Sequence, residues 1–254
     1  VAIAPRIERI YRVRFDEGGL DGHLRASGYL RYAQDLAWIH SESAGFGREW
    51  YGERGLTWLA RSIELEIIGA AEYGSEVRVS TEVTGFRRVW ARRRSEFHEH
   101  GSERMLGLAI TDWVLLNARG LPVRPPADVI EQFPTTGAAF TPLRVDLPPM
   151  TDEAAAGAGE FSPRLSEVDP YGHVNNAAYL DYVDEQLAAI GQRAAIRHRP
   201  RRYRGEFLAA AEPGMAIRAE AWPAESKWQL RLSSGERELF RATFESDDAN
   251  WAGG

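Results

Sequence analysis

A chain of 254 residues, 44% hydrophobic and 27% charged, has ordinary globular composition and suits one large domain or two small ones. A net charge of −6, with no apolar run near the ~18 residues of a membrane helix, argues against a general nucleic-acid binder and a helical membrane span. The absence of cysteine excludes a disulfide scaffold, a thiolate metal site and a cysteine nucleophile.

The chain opens on Val1-Ala2-Ile3-Ala4-Pro5-Arg6, which lacks the charged-then-apolar profile of a signal peptide, so a cytoplasmic protein is expected. A strand is expected from about Ile7 to Phe15. A helix follows from about Ser27 to Ala44, with Tyr29, Leu30, Ala33, Ala37 and His40 in reach of one face and Gly45 as its stop. The period then changes to two. Val77, Val79, Thr81 and Val83 alternate with Glu76, Arg78, Ser80 and Glu82, which marks strands with one buried face. From Arg119 to Glu160 the prolines (Pro122, Pro125, Pro126, Pro134, Pro142, Pro148, Pro149) and the small residues of Ala154–Gly159 read as a linker. A second strand is expected from about Phe161 to Glu167. A second helix runs from about Asn176 to Ile190, with Tyr179, Leu180, Val183 and Leu187 inward and Gly191 as its stop. Alternation returns at Ile217, Ala219 and Ala221, and again at Trp228, Leu230 and Leu232.

The chain repeats itself. Gly22-His23-Leu24 through Tyr29-Leu30-Arg31-Tyr32 lies against Gly172-His173-Val174 through Tyr179-Leu180-Asp181-Tyr182 at an offset of 150. Glu66 to Gly74 lies against Glu206 to Gly214 at an offset of 140, so the second copy is shorter between its helix and its next strand. The pattern is α+β: two tandem units, each a helix with an antiparallel sheet wrapped around it. The first is placed at 1–130, the linker at 131–160 and the second at 161–254.

Six histidines (His23, His40, His98, His100, His173, His198) offer no helical pair, and His98-x-His100 has no evident third ligand, so neither a metal nor a cofactor is expected. Arginines cluster at 87–94 and 197–204, while Lys227 is the single lysine. They suit solvated strand edges, or docking of an acidic carrier or a phosphate. Chemistry concentrates in Asp169-Pro170-Tyr171-Gly172-His173-Val174-Asn175-Asn176, an acid and a histidine on a loop that opens into a helix. The helix's first amides are unpaired donors, suited to an oxygen that becomes negative under attack. Glu206, on an apolar strand, is a second carboxylate with the setting of a general base. The same stretch also reads as a turn followed by a helix cap. The first copy retains His23 but has Gly19 for Asp169 and Arg25-Ala26 for the asparagine pair, which favours one working site, in the second half.

At these residues the chain resembles the acyl-ACP thioesterases of plants and bacteria, which have a tandem hotdog fold. The resemblance rests on Asp169-x-x-Gly172-His173-Val174-Asn175-Asn176-x-x-Tyr179, on Arg54-Gly55-Leu56-Thr57-Trp58, on Tyr73-Gly74-Ser75-Glu76-Val77, on Thr111-Asp112-Trp113 through Asn117, and on Tyr203-Arg204-Gly205-Glu206. It implies hydrolysis of fatty acyl thioesters of acyl carrier protein by water, with Asp169, His173 and Glu206 at catalytic positions and either carboxylate as base. It also implies an acyl pocket shaped by the first half, with Asn175, Trp38, Trp58 and Trp113 as substrate-binding residues; plain core packing is the other reading of the tryptophans. Plant members have asparagine where this chain has Tyr171, which departs from an asparagine-oriented water. Other readings are an acyl-CoA thioesterase, a hotdog hydratase or dehydratase, and a non-catalytic acyl-binding module. Fusion of two units replaces a two-chain dimer, and further pairing into a homodimer stays open.

Overall fold

The computed structural model describes residues 4–135, 139–150 and 157–247. Its strands form a single antiparallel sheet in the order β1-β3-β4-β5-β2-β7-β10-β9-β8-β6. The first five are β1 (Arg6–Arg12), β2 (Thr57–Ile67), β3 (Glu76–Arg87), β4 (Trp90–Glu99) and β5 (Met105–Leu116). The other five are β6 (Gly157–Phe161), β7 (Arg201–Phe207), β8 (Ile217–Ala224), β9 (Lys227–Ser234) and β10 (Arg237–Ser246). Read from either edge, the order repeats the same connectivity, as a duplicated unit requires. The long helices are α1 (Ala26–Ser43) and α4 (Ala178–Ala189); α2 (Arg48–Glu53) and α3 (Ala127–Gln132) are short.

Each long helix buries its apolar stripe against its own half of the sheet. Tyr29, Leu30 and Leu36 of α1 meet inward residues of β3 and β4 such as Val77, Val79 and Phe97; Tyr179, Leu180, Val183 and Leu187 do the same in the second unit. Each such side chain contributes about 1.5–3 kcal/mol on burial. Polar tethers are duplicated too. Tyr32 donates to Glu17 at 2.6 Å and Tyr182 to Glu167 at 2.8 Å. The same glutamates accept the backbone N–H of Arg14 and Arg164.

The two units join where β2 pairs with β7, and Glu64 stands opposite Arg204. These two occupy equivalent positions at the offset of 140, so a pseudo-twofold axis passes between them. Arg204 Nε lies 3.3 Å from Glu64 Oε2. Between the helices, Arg31 lies 3.5 Å from Asp181, its own equivalent at the offset of 150. The ten residues by which the offsets differ correspond to α2 and its flanks. The second unit has only a 3-10 turn, Ala195–Arg197, in that interval.

The structure departs from expectation in the middle of the chain. The second unit's first strand is β6, over residues read as linker, and Phe161 ends it; Leu165–Glu167 form a 3-10 turn. Small residues leave no hydrophobic alternation to read, yet β6 pairs with β8 across five registers. Part of the linker covers the outer face of the sheet. Val145 is buried there, and Leu143 N–H donates to Asp112 at 2.9 Å. Among the described residues no helix is long and apolar enough to cross a membrane, and no cluster of three acids or histidines could hold a metal.

Candidate active site

The loop before α4 is held by its own backbone. Asp169 N–H donates to His173 O at 2.8 Å and Gly172 N–H to Asp169 O at 2.9 Å. Gly172 takes φ +83°, which glycine adopts without strain. Val174 N–H is anchored on Ala211 O and Asn175 N–H on Glu167 O. The carboxylate Oδ1 of Asp169 accepts the Tyr171 N–H at 2.9 Å, which fixes the acid against its own turn. Asn175 Oδ1 accepts the Ala177 N–H, so α4 starts at Ala178, two residues later than the pattern suggested. The next residue is different. Neither the backbone N–H nor the carboxamide of Asn176 donates a hydrogen bond among the described residues, and Asn176 faces open space.

That space is a cavity of about 660 Å³ between the two units. The second unit supplies Asp169, Tyr171, His173, Asn175, Asn176 and Tyr179; the first supplies Trp38, Trp58, Trp113, Phe86 and Phe133 among others. Asp169 is half-buried and His173 exposed at the mouth, with no hydrogen bond between their side chains. Burial raises the Tyr179 phenol, which stays neutral and accepts the Ala211 N–H at 3.1 Å. The size falls within the range of about 300–1,000 Å³ for small-molecule sites. The mostly apolar wall suits an alkyl chain, and the acid, histidine and amide at one side suit its polar end.

Glu206 is elsewhere. On β7, Tyr203, Gly205 and Phe207 face α4, so Glu206 takes the outer face, 3% exposed beneath the linker. Its carboxylate pairs with Arg144, accepts the Val145 N–H at 3.1 Å and lies 3.7 Å from Arg61. The sequence reading groups Glu206 with Asp169 and His173; the fold sets it apart from them, because one-residue alternation decides the face. Arg61 connects the two regions. It occupies a bulge in β2, lines the cavity and donates to Phe207 O, while burial lowers its pKa.

Arg61 lines the cavity without having been named in the sequence reading, which gave Asn176 only within the loop-and-cap stretch and Arg93 only within the 87–94 arginine cluster. The repeated asparagine is the signal for Asn176. For Arg93, strand alternation through Arg92-Arg93-Arg94 turns the middle residue inward. There it donates to His40 Nδ1 at 3.0 Å. Burial, then the charge of Arg93, pushes His40 down to about 4, so the ring is neutral and its Nε2 donates to Ala4 O at 3.0 Å.

Residues 6–133 match the family model for the acyl-ACP thioesterase N-terminal domain, and residues 151–237 match that for the C-terminal domain. The chain belongs to the acyl-ACP thioesterase family. It is 22% identical over 192 residues to a chloroplastic oleoyl-acyl carrier protein thioesterase of Coriandrum sativum, covering 69% of this chain and 52% of that protein. To a chloroplastic acyl-[acyl-carrier-protein] hydrolase of Cuphea viscosissima it is 22% identical over 251 residues, covering 89% of this chain and 59% of the relative. The chain thus spans between half and three-fifths of the length of these curated family members. In structure it is similar to the 12:0-ACP thioesterase from Umbellularia californica, with a TM-score of 0.80, 19% identity and coverage of 96% and 97% of the two chains. An acyl-ACP thioesterase from Bacteroides thetaiotaomicron gives a TM-score of 0.77 at 15% identity, over 95% and 98%. At these identities the likeness is one of fold, the tandem hotdog of the family.

Proposed function

We propose that this protein hydrolyses fatty acyl thioesters of acyl carrier protein, releasing a fatty acid and the carrier's thiol. The observation that carries the reading is the opening of Asp169, His173 and Asn176 onto one largely apolar cavity in a member of this family. The acyl chain lies in the cavity and the thioester carbonyl at its mouth, beside the start of α4. The unpartnered donors of Asn176 are placed to receive the oxygen that becomes negative as water adds. Asp169 or His173 takes the proton of the attacking water, and the thiolate leaves and is protonated. Both carboxylate positions of the family are present, but their geometry supports different tasks. Asp169 works at the cavity, and Glu206 acts through Arg61, holding the β7 end that carries Phe207 to the wall.

Release of thiol from acyl-ACP and acyl-CoA, followed with a thiol reagent, tests this; the chain has no cysteine to add background. Turnover that prefers acyl-ACP and collapses in Asp169→Ala and His173→Ala is expected. Preference for acyl-CoA would redirect the carrier assignment, and turnover of neither by folded protein would overturn the hydrolase reading.

A further inference from the structure

Three consecutive arginines on β4 meet different fates. Arg92, facing outward, makes a two-pronged pair with Asp112 at 2.6 and 2.8 Å. Arg94, also outward, pairs with Glu96 at 2.6 Å. Arg93 faces inward, and among the described residues no carboxylate pairs with it. Its hydrogen bonds go to neutral acceptors, His40 Nδ1 at 3.0 Å and Thr81 Oγ1 at 3.4 Å. Arg93 is partly buried where it lines the cavity, and burial pushes its pKa down to about 10.

A buried cation without a counter-charge is unfavourable unless something compensates it. Donation to His40 and Thr81 does not require the charge, since a neutral donor serves those acceptors as well. His40 offers no relief either: it is neutral, and its proton sits on the nitrogen facing Ala4. The ring of Phe133 lies 6.0 Å from the guanidinium and offsets part of this cost, and a negatively charged ligand group entering the cavity would offset more. Asp169 and His173 come from the second unit. Arg93, with His40, Thr81 and the neighbouring ring of Phe133, belongs to the first-unit wall. An acyl chain that runs from a thioester at His173 along the first-unit wall passes Arg93, which also borders a small pocket shared with Asn176.

We propose that Arg93 selects acyl chains bearing an acceptor oxygen away from the thioester, with a carboxylate the strongest match because it also supplies the absent charge. This rests on the cavity being the acyl site of the hydrolase proposed above. It separates this chain's preferred substrate from a plain saturated acyl group.

The test is binding, so that it does not depend on hydrolysis. Acyl-pantetheine amides, in which NH replaces the thioester sulfur, are titrated by calorimetry as matched pairs, one saturated and one ending in a carboxylate, over a series of chain lengths. At the best length the wild type is expected to bind the carboxylate form at least ~10-fold tighter, equivalent to about 1.4 kcal/mol. Arg93→Met removes that preference, and Arg93→Lys keeps part of it. Because methionine replaces an uncompensated charge, Arg93→Met also raises the Tm of the ligand-free protein, whereas an arginine kept for structure would lower it. Equal or tighter binding of the saturated partner by wild type at every length overturns the proposal, as does failure of both to bind. A carboxylate preference that survives in Arg93→Met overturns it as well. Loss of thiol release with the binding preference intact would sink the hydrolase reading and leave this one standing.

Discussion

The two loop–helix junctions have almost the same backbone and opposite surroundings. Gly19 N–H donates to His23 O at 2.8 Å as Asp169 N–H does to His173 O, and Gly22 and Gly172 both take positive φ, +75° and +83°. Leu24 is anchored on Ala71 as Val174 is on Ala211. The turn therefore needs glycine and backbone partners, and it needs neither the aspartate nor the asparagines. What differs is where the side chains go. In the first junction His23 Nδ1 lies 3.2 Å from Asp21, which Arg199 approaches at 3.3 Å, so the group is closed upon itself. In the second, the equivalent side chains open onto the cavity. Its far wall includes Trp58 and Leu59, where the other half places His198 and Arg199. One junction folds the chain; the other also borders the cavity.

The sharpest way to break this comparison is to treat both junctions alike. Asp169→Ala or His173→Ala is expected to lower kcat/KM by roughly 10²–10⁴-fold, as loss of an acid–base group does. Asp21→Ala or His23→Ala is expected to leave kcat/KM within about twofold, because both lie away from the cavity and the partly exposed Asp21–Arg199 ion pair contributes ~0–1 kcal/mol to stability only. Steady-state kinetics on the four variants decides; equal losses at both junctions would end the one-site view.

Glu206→Gln separates support from chemistry. It leaves Arg144 and Arg61 facing a neutral group and is expected to destabilise the fold by about 2–3 kcal/mol, below the full figure for a buried pair since Arg144 is half exposed. Urea unfolding measures that loss. At a temperature where the variant is folded, kcat should fall less than ~10-fold; a loss matching that of Asp169→Ala would restore Glu206 to the chemistry.

The helices carry the smaller asymmetries. His40 on α1 corresponds to Ile190 just past the end of α4, and Gln34 on α1 to Asp184 on α4. His40 is depressed to about 4, so between about 4 and 6.5 the unfolded chain binds the proton and the folded chain does not, and stability rises with pH. Asp184 is raised to about 7, mainly by burial, so the folded chain keeps the proton where the unfolded chain has lost it, and stability falls as pH rises from 3.8 through 7. The slopes oppose each other. Relative to wild type, His40→Gln should tilt the stability–pH profile downward across this window and Asp184→Asn upward, each by up to roughly 3–4 kcal/mol. Thermal melts at several pH values would show it; parallel profiles would mean that neither group is held as described.

Last, Gly22→Ala and Gly172→Ala should each destabilise by about 1 kcal/mol, since alanine resists positive φ. Activity at a temperature below both transitions should fall further in Gly172→Ala, where displacement of the turn also moves Asp169.

Much of this was legible in the residues. The helix faces led by Tyr29 and Tyr179 lie inward as their spacing requires, and the two offsets, 150 and 140, reappear as the palindromic strand order. Local chemistry carries such features. The first strand of the second unit was not legible, because Gly157 to Phe161 has no alternating large side chains and owes its place to pairing with β8. Nor was the position of Glu206: its neighbours in sequence are apolar, but which face it takes depends on the register of β7, and its environment is completed by a linker segment some sixty residues away. Asn175 and Asn176 show the limit most simply. Adjacent and identical in type, both line the cavity, yet Asn175 accepts the Ala177 N–H ahead of α4 while the Asn176 carboxamide makes no hydrogen bond among the described residues.

The pairs on the pseudo-twofold axis record something about ancestry. When two identical chains associate across a true twofold, a residue on the axis meets its own copy, and a charge there meets the same charge. Here Glu64 meets Arg204 and Arg31 meets Asp181. Such complementarity is available only after the two copies have become free to differ. Two first halves brought together in this arrangement would set glutamate on glutamate and arginine on arginine, and two second halves would do the reverse. Fusion has in this respect become a ratchet: each half is now charged to recognise its sibling and to repel its twin.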